Sequence, residues 1–188
     1  MAKTKTKKKT KKLRRSLNIN WSFWIISTIV LLLGAAAFCM VFVNAVQYGE
    51  NDRLIYTGWN ISFGFTDTYA NLDEYNVLGL NLVAFSAYVL PAVACILAFF
   101  DKNKIVKYIT YVLFGASALM LFGMFLIIGI NDVDMSAFQN VLIQMPDTNL
   151  SAHITTGTIL GGIFSTVALL VQLIKNKIVD YYKVKVIE

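Results

Sequence analysis

The sequence predicts an all-α membrane protein: an antiparallel four-helix transmembrane bundle with a small extracellular β-element in the first outer loop. Three observations carry that expectation. Four uncharged apolar runs, 21–43, 77–100, 108–130 and 154–174, each hold 21 to 24 residues, and about 20 apolar residues suffice to cross a hydrocarbon core of about 30 Å. The connections between the runs alternate in the sign of their charge. One connection contains "WNISFGF", where bulky apolar residues alternate with small or polar ones at a period of two, a strand pattern among helices.

The chain opens with "MAKTKTKKKTKKLRRS", which holds nine of the 17 Lys and Arg and almost nothing apolar to bury. Residues 1–16 are therefore expected to be a disordered basic cytoplasmic tail. Anionic lipid headgroups attract such a tail by about 1 kcal/mol per basic residue near the surface. Lysine runs also meet nucleic-acid phosphates generically, but with no interleaved aromatics the expected partner is lipid and not nucleic acid. The first apolar run is longer than a signal-peptide core and Phe38 is bulky beside Cys39, so it reads as an uncleaved anchor.

Charge sets the orientation. Lys102, Lys104 and Lys107 lie between the second and third runs, and four lysines lie at or after Lys175. Arg53 is the one basic residue in the other two connections, which carry eight of the eleven acids: Glu50, Asp52, Asp67, Asp73, Glu74, Asp132, Asp134 and Asp147. The positive-inside rule then places both N and C termini in the cytoplasm of a multi-pass plasma (cytoplasmic) membrane protein. The expected organisation is a transmembrane bundle over 17–176, with spans at about 21–47, 76–100, 105–130 and 152–174, outer loops 48–75 and 131–151, and a short cytoplasmic tail 177–188.

In the first outer loop Tyr56, Trp59, Ile61, Phe63 and Phe65 are assigned to an outer strand whose apolar face turns inward to cap the bundle. Leu54 and Tyr56, just before Gly58, leave a hairpin and a bulged strand both open. In the other outer loop Met135, Phe138, Val141, Leu142 and Met145 follow helical spacing between Asp134 and Pro146, which predicts a short interfacial helix.

Within the spans, small and polar residues fall into stripes that let membrane helices approach closely. The last span offers His153, Gly157, Gly161, Ser165, Ala168 and Gln172; the first Ser27, Gly34, Ala37 and Asn44; the second Asn81, Ala84, Tyr88, Ala92 and Cys95; the third Gly115 and Gly123. Helix packing is assigned above all to Gly34, Asn81, Gly157, Gly161 and Ser165, and Asn44 and Asn81 lie at similar depths where they can bond each other. Pro91 breaks the hydrogen-bond ladder of the second span and frees a carbonyl that a neighbour must satisfy.

The four runs contain no acidic or basic residue, which argues against proton pumps, coupled transporters and voltage sensors. His153, Asp132 and Asp134 are residue types that hold metals, but no second histidine or loop cysteine joins them, so no metal is expected. Without a phosphate-binding loop or a nucleophile–base arrangement, neither an enzyme nor a cofactor is expected. Cys39 and Cys95 lie at different depths, beyond disulfide reach.

"YTGWNISFG" followed by "NLVAFSAYVLPAVACILAFF" resembles uncharacterised small four-span membrane proteins of low-GC Gram-positive bacteria and mollicutes. The layout, with its strand-bearing first outer loop, is also similar to the claudin and peripheral-myelin-protein tetraspan architecture. Trp59 after Gly58 resembles the claudin Gly-Leu-Trp element without its leucine, and the two claudin loop cysteines have no counterpart in 48–75. The function expected is a non-catalytic structural, interaction or accessory subunit whose outer loops contact another membrane or surface protein, or a second copy. A channel or transporter component is the alternative, and a lipid-handling membrane enzyme the third.

Overall fold

The computed structural model describes residues 21, 23–48, 54–67, 75–100, 103–130 and 152–187. Helix α1 (23–39) runs into a 3-10 turn, Met40–Phe42, and then directly into strand β1, Asn44–Tyr48. Strand β2 (Leu54–Thr57), helix α2 (Gly58–Phe63), and strands β3 (Phe65–Asp67) and β4 (Tyr75–Leu78) follow. Helices α3 (Leu82–Leu97), α4 (Lys104–Phe122) and α5 (Met124–Ile130), strand β5 (Ala152–Ile154) and helix α6 (Thr156–Ile187) complete the order.

The protein is mostly helical, and three of its helices are long and apolar enough to cross a membrane: Phe23–Phe42, Lys104–Phe122 and Thr156–Ile178. The expected second span is shorter than its apolar run. Its helix has 16 residues, about 24 Å at the helical rise, because Asn81 caps the start of α3 while residues 75–78 pair as a strand. The third apolar run is likewise divided, at Gly123, whose N–H bonds Leu119 O at 2.9 Å. The last helix, by contrast, continues past the apolar run to Ile187. The basic segment 1–16 and the interfacial helix expected in 131–151 lie outside the described residues.

A three-stranded antiparallel sheet, in the order β2-β1-β5, closes one end of the helices. Gln47 at its centre faces Ile55 on one side and His153 on the other. A second, two-stranded sheet pairs β3 with β4, Phe65 opposite Leu78.

The strand expected over 59–65 is a correction. Residues 58–63 are helical, flanked by short strands that hold Tyr56 and Phe65. The local chemistry explains it. Thr57 is an N-cap whose side chain accepts from Asn60 N at 3.2 Å, and Gly64, at φ 88° and ψ 165°, ends the helix with its N–H on Asn60 O at 2.9 Å. That backbone conformation is open essentially to glycine alone. On a helix the apolar residues no longer share one face. Gly58, Ile61 and Ser62 are buried, whereas Trp59 and Phe63, four residues apart, point out together.

The core lies in two layers. Near the sheet, Val41, Val46, Tyr56, Ile61, Tyr88, Leu121 and Met124 pack together. Toward the other end, Val30, Ala94, Cys95, Phe114 and Ala168 do so.

Candidate functional site

Polar side chains converge inside the helices, and most are held by groups on a neighbouring element. Pro91 has no N–H, so the carbonyl of Ala87 one turn earlier lacks its ordinary donor. Ser117 of α4 donates to that carbonyl at 2.7 Å, and Ser165 of α6 donates to Ser117 Oγ at 3.0 Å. Three helices are thereby tied at one level. Nearer the sheet, Thr158 of α6 donates to Ala45 O at 2.8 Å, and Thr155 N–H reaches the same carbonyl at 2.9 Å. Where β1 leaves its irregular first residue, the start of α6 thus completes the backbone bonding.

At the opposite end Lys175 is fully buried. Its Nζ donates to Ala98 O at 2.7 Å and to Ser27 Oγ at 3.3 Å, and lies 4.7 Å from the centroid of the Phe23 ring. Ala98 is the C-cap of α3, where exposed carbonyls and the helix dipole favour a cation. Beside it Asn176 Nδ2 donates to Tyr111 Oη at 2.6 Å.

The residues singled out in the sequence take distinct places. Gly161 is buried where α6 touches α1 and α4, and Gly157 where the start of α6 meets the turn into β1. A Cβ on Gly157 would lie 2.7 Å from Asn44 O, and one on Gly161 3.2 Å from Leu121 Cδ1. Gly34 presses α1 onto α3, where a Cβ would lie 2.5 Å from Cys95 Cβ. Ser165 is buried in the hydroxyl relay. Asn81 is a correction: its Oδ1 accepts from Ala84 N at 2.9 Å as the cap of α3, while Asn44 sits exposed in β1 opposite Thr57. Gly115 is another, since a Cβ there would meet nothing within 4 Å; α4 packs instead through Thr110, Phe114, Ser117, Ala118 and Leu121.

Tyr56 is buried and packs edge-on against Phe65, centroids 5.8 Å apart. His153 is exposed on β5. Asp132 and Asp134 lie outside the described residues, and among the described residues no three His, Cys, Asp or Glu side chains gather as a metal site would need. The sequence reading missed Ser117, Thr158 and Lys175. Ser117 had a signal in the freed carbonyl that Pro91 implies, and Lys175 in being the first charge after the last apolar run. Tyr88 Oη is also buried, against Gly58, and has no hydrogen-bond partner among the described residues.

The membrane-length helices, lipid-like in their exposed side chains and polar in parts of their interior, mark a helical membrane protein. No family model, curated protein or solved structure matches this chain.

Proposed function

We propose that the chain is a non-catalytic integral protein of the plasma (cytoplasmic) membrane, a structural or accessory subunit whose outer cap contacts another membrane or surface protein or a second copy of itself. Its helices α1, α3, α4 and α6 are read as four antiparallel spans, both termini in the cytoplasm. Contacts in opposite order support this. Trp24 meets Phe99 while Gly34 meets Cys95; Gly162 meets Phe122 while Asn176 meets Tyr111; Gly161 meets Ala37 while Lys175 meets Ser27. The acidic connections put the sheet end outside.

The observation that carries the reading is where the interior polar groups point. Ser117, Ser165, Thr158 and Lys175 bond backbone or side chains of adjacent elements, as interhelical ties do. Transport or catalysis needs such groups turned toward a solute. The cap in turn has β2 and β5 as the outer strands of its three-stranded sheet among the described residues, and the outer side of a sheet is where a partner's strand can add.

A second reading, a channel or transporter component, draws on the file of buried Thr158, Ser165, Gln172 and Lys175 along α6. One experiment separates the two. Photo-crosslinking residues placed at Ile55 and His153, with lipid-facing Leu119 as control, are activated in the native membrane. Discrete protein adducts, heterologous or dimeric, from the first two positions alone support the accessory role. Their absence, together with ion or solute flux across proteoliposomes, replaces it with the channel.

A further inference from the structure

Exposed aromatic rings gather toward both ends of the helices, and Phe122 and Phe125 of α4 and α5 are exposed as well. At the sheet end Phe42, Trp59, Phe63 and Phe85 form a continuous ridge, with successive centroids 5.7, 4.3 and 4.9 Å apart. Phe42, Trp59 and Phe63 are 60, 45 and 40% exposed. At the other end Trp21, Trp24, Phe100 and Tyr108 are exposed. Along α1 between them the exposed large side chains are aliphatic: Ile25, Ile29 and Leu32. Eighteen residues separate Trp24 from Phe42, about 27 Å at the helical rise, close to the thickness of a hydrocarbon core.

We infer that α2, with Phe42 and Phe85, is an interfacial anchor seated at the headgroup–acyl boundary of the outer leaflet. The inference rests on the membrane reading of α1, α4 and α6. Lipid is the occupant because the ridge continues the lipid-facing surface: Phe42 ends the apolar stretch Phe23–Phe42, and Phe85 follows the exposed Leu82 and Val83. Tryptophan and other amphipathic rings concentrate at that depth, where an apolar body and a polar edge are both accommodated. The backbone agrees. A strand at this site would bring an unpaired edge against the acyl chains, whereas the helix bonds within itself and to its neighbours: Thr57 Oγ1 accepts from Asn60 N–H, Gly64 N–H bonds Asn60 O, Gly58 N–H bonds Val43 O and Ser62 O accepts from Asn81 N–H. Ile61, on the opposite side of α2, docks the anchor into the core.

The test uses the full chain in phosphatidylcholine vesicles brominated either near the headgroup or deep in the acyl chains. Two single-tryptophan variants report depth, Trp21→Phe/Trp24→Phe for Trp59 and Trp21→Phe/Trp59→Phe for Trp24. Trp59 emission is expected to fall about twofold with the shallow bromines, less with the deep ones, and to resist aqueous iodide. If Trp24 is quenched by bromolipid while Trp59 answers to iodide alone, the anchor is overturned and the membrane reading stands. Shielding of Trp59 from both quenchers would put a protein on the ridge and equally overturn the inference. Bromolipid quenching of neither tryptophan would remove the membrane reading itself.

Discussion

Ser117 on α4 donates its hydroxyl proton to the carbonyl of Ala87 on α3, 2.7 Å away, and that carbonyl is the one Pro91 deprives of its helical donor. A proline in one helix and a serine in the next are thus two halves of one arrangement. With Ser165 bonding Ser117 Oγ at 3.0 Å, the bend in α3 is held by two neighbouring helices. Pro91 is itself buried, so the carbonyl it frees has no water to turn to.

Ser117→Ala is therefore expected to lower the unfolding free energy in mild detergent by about 1–3 kcal/mol, the cost of leaving a buried acceptor unsatisfied. Pro91→Ala restores an N–H within reach of Ala87 O, so the serine should matter less in that background. A double-mutant cycle should give a coupling of about 0.5–3 kcal/mol. Additive losses would mean that the two residues act separately.

Tyr88 makes the opposite case. Its ring fills the layer beneath the sheet, but its hydroxyl, buried against Gly58, has no hydrogen-bond partner among the described residues. Tyr88→Phe keeps the packing and removes a polar group that costs about 1–3 kcal/mol when unsatisfied. Thermal melting should be unchanged or raised. A clear loss of stability would reveal a water, ligand or segment bonded to Oη.

Much of this architecture is legible in the sequence, for physical reasons that differ by feature. The length and polarity of the apolar runs mark the helices, since a hydrocarbon core imposes both. Gly157, Gly161 and Ser165 fall on one stripe because four-residue steps stay on one helical face. The stretch 59–65 was misleading because Trp59 and Phe63 satisfy both the strand period and the i, i+4 relation. Thr57 and Gly64 held the answer as cap and stop. Asn81 fits helix packing and capping equally well from sequence, and only the start of α3 decides between them. Gly115 shows the converse limit, for nothing in a lone glycine tells which side of the helix has a neighbour. The Lys175–Ala98 contact joins residues 77 apart in the chain, and such pairings follow from which helices are adjacent, not from any local pattern.

The two glycines of opposite placement can be compared by one substitution. A Cβ at position 157 would come within 2.7 Å of Asn44 O and 2.9 Å of Val43 O, backbone atoms of the turn into β1 that cannot swing aside. Gly157→Ala should thus cost several kcal/mol, as overpacking against backbone does at its upper range of about 3 kcal/mol or more. Gly115→Ala meets open space and should stabilise α4 by up to about 1 kcal/mol through helix propensity alone. Equal melting shifts for the two would show that α6 does not press on the sheet as described.

Lys175 is the sharpest test of the end opposite the sheet. Its ammonium is fully buried, bonded to the last-turn carbonyl of Ala98 and to Ser27, and lies against the Phe23 ring. It therefore joins α6 to α1 and to the C-terminus of α3. Lys175→Met preserves length and apolar bulk but strands Ala98 O, so a loss of about 1–3 kcal/mol is expected. Lys175→Gln keeps a donor and should recover part of it, although the favourable cation at the helix C-terminus is gone. Lys177→Met serves as the comparison, since Lys177 is exposed and surface changes generally stay within about 0.5 kcal/mol. A simple contribution of positive charge to orientation would make Lys175→Met and Lys177→Met alike in both topology and melting. Loss of stability at Lys175 alone, with partial rescue by glutamine and cysteine-accessibility topology unchanged, identifies the ammonium as the tie between the three helices.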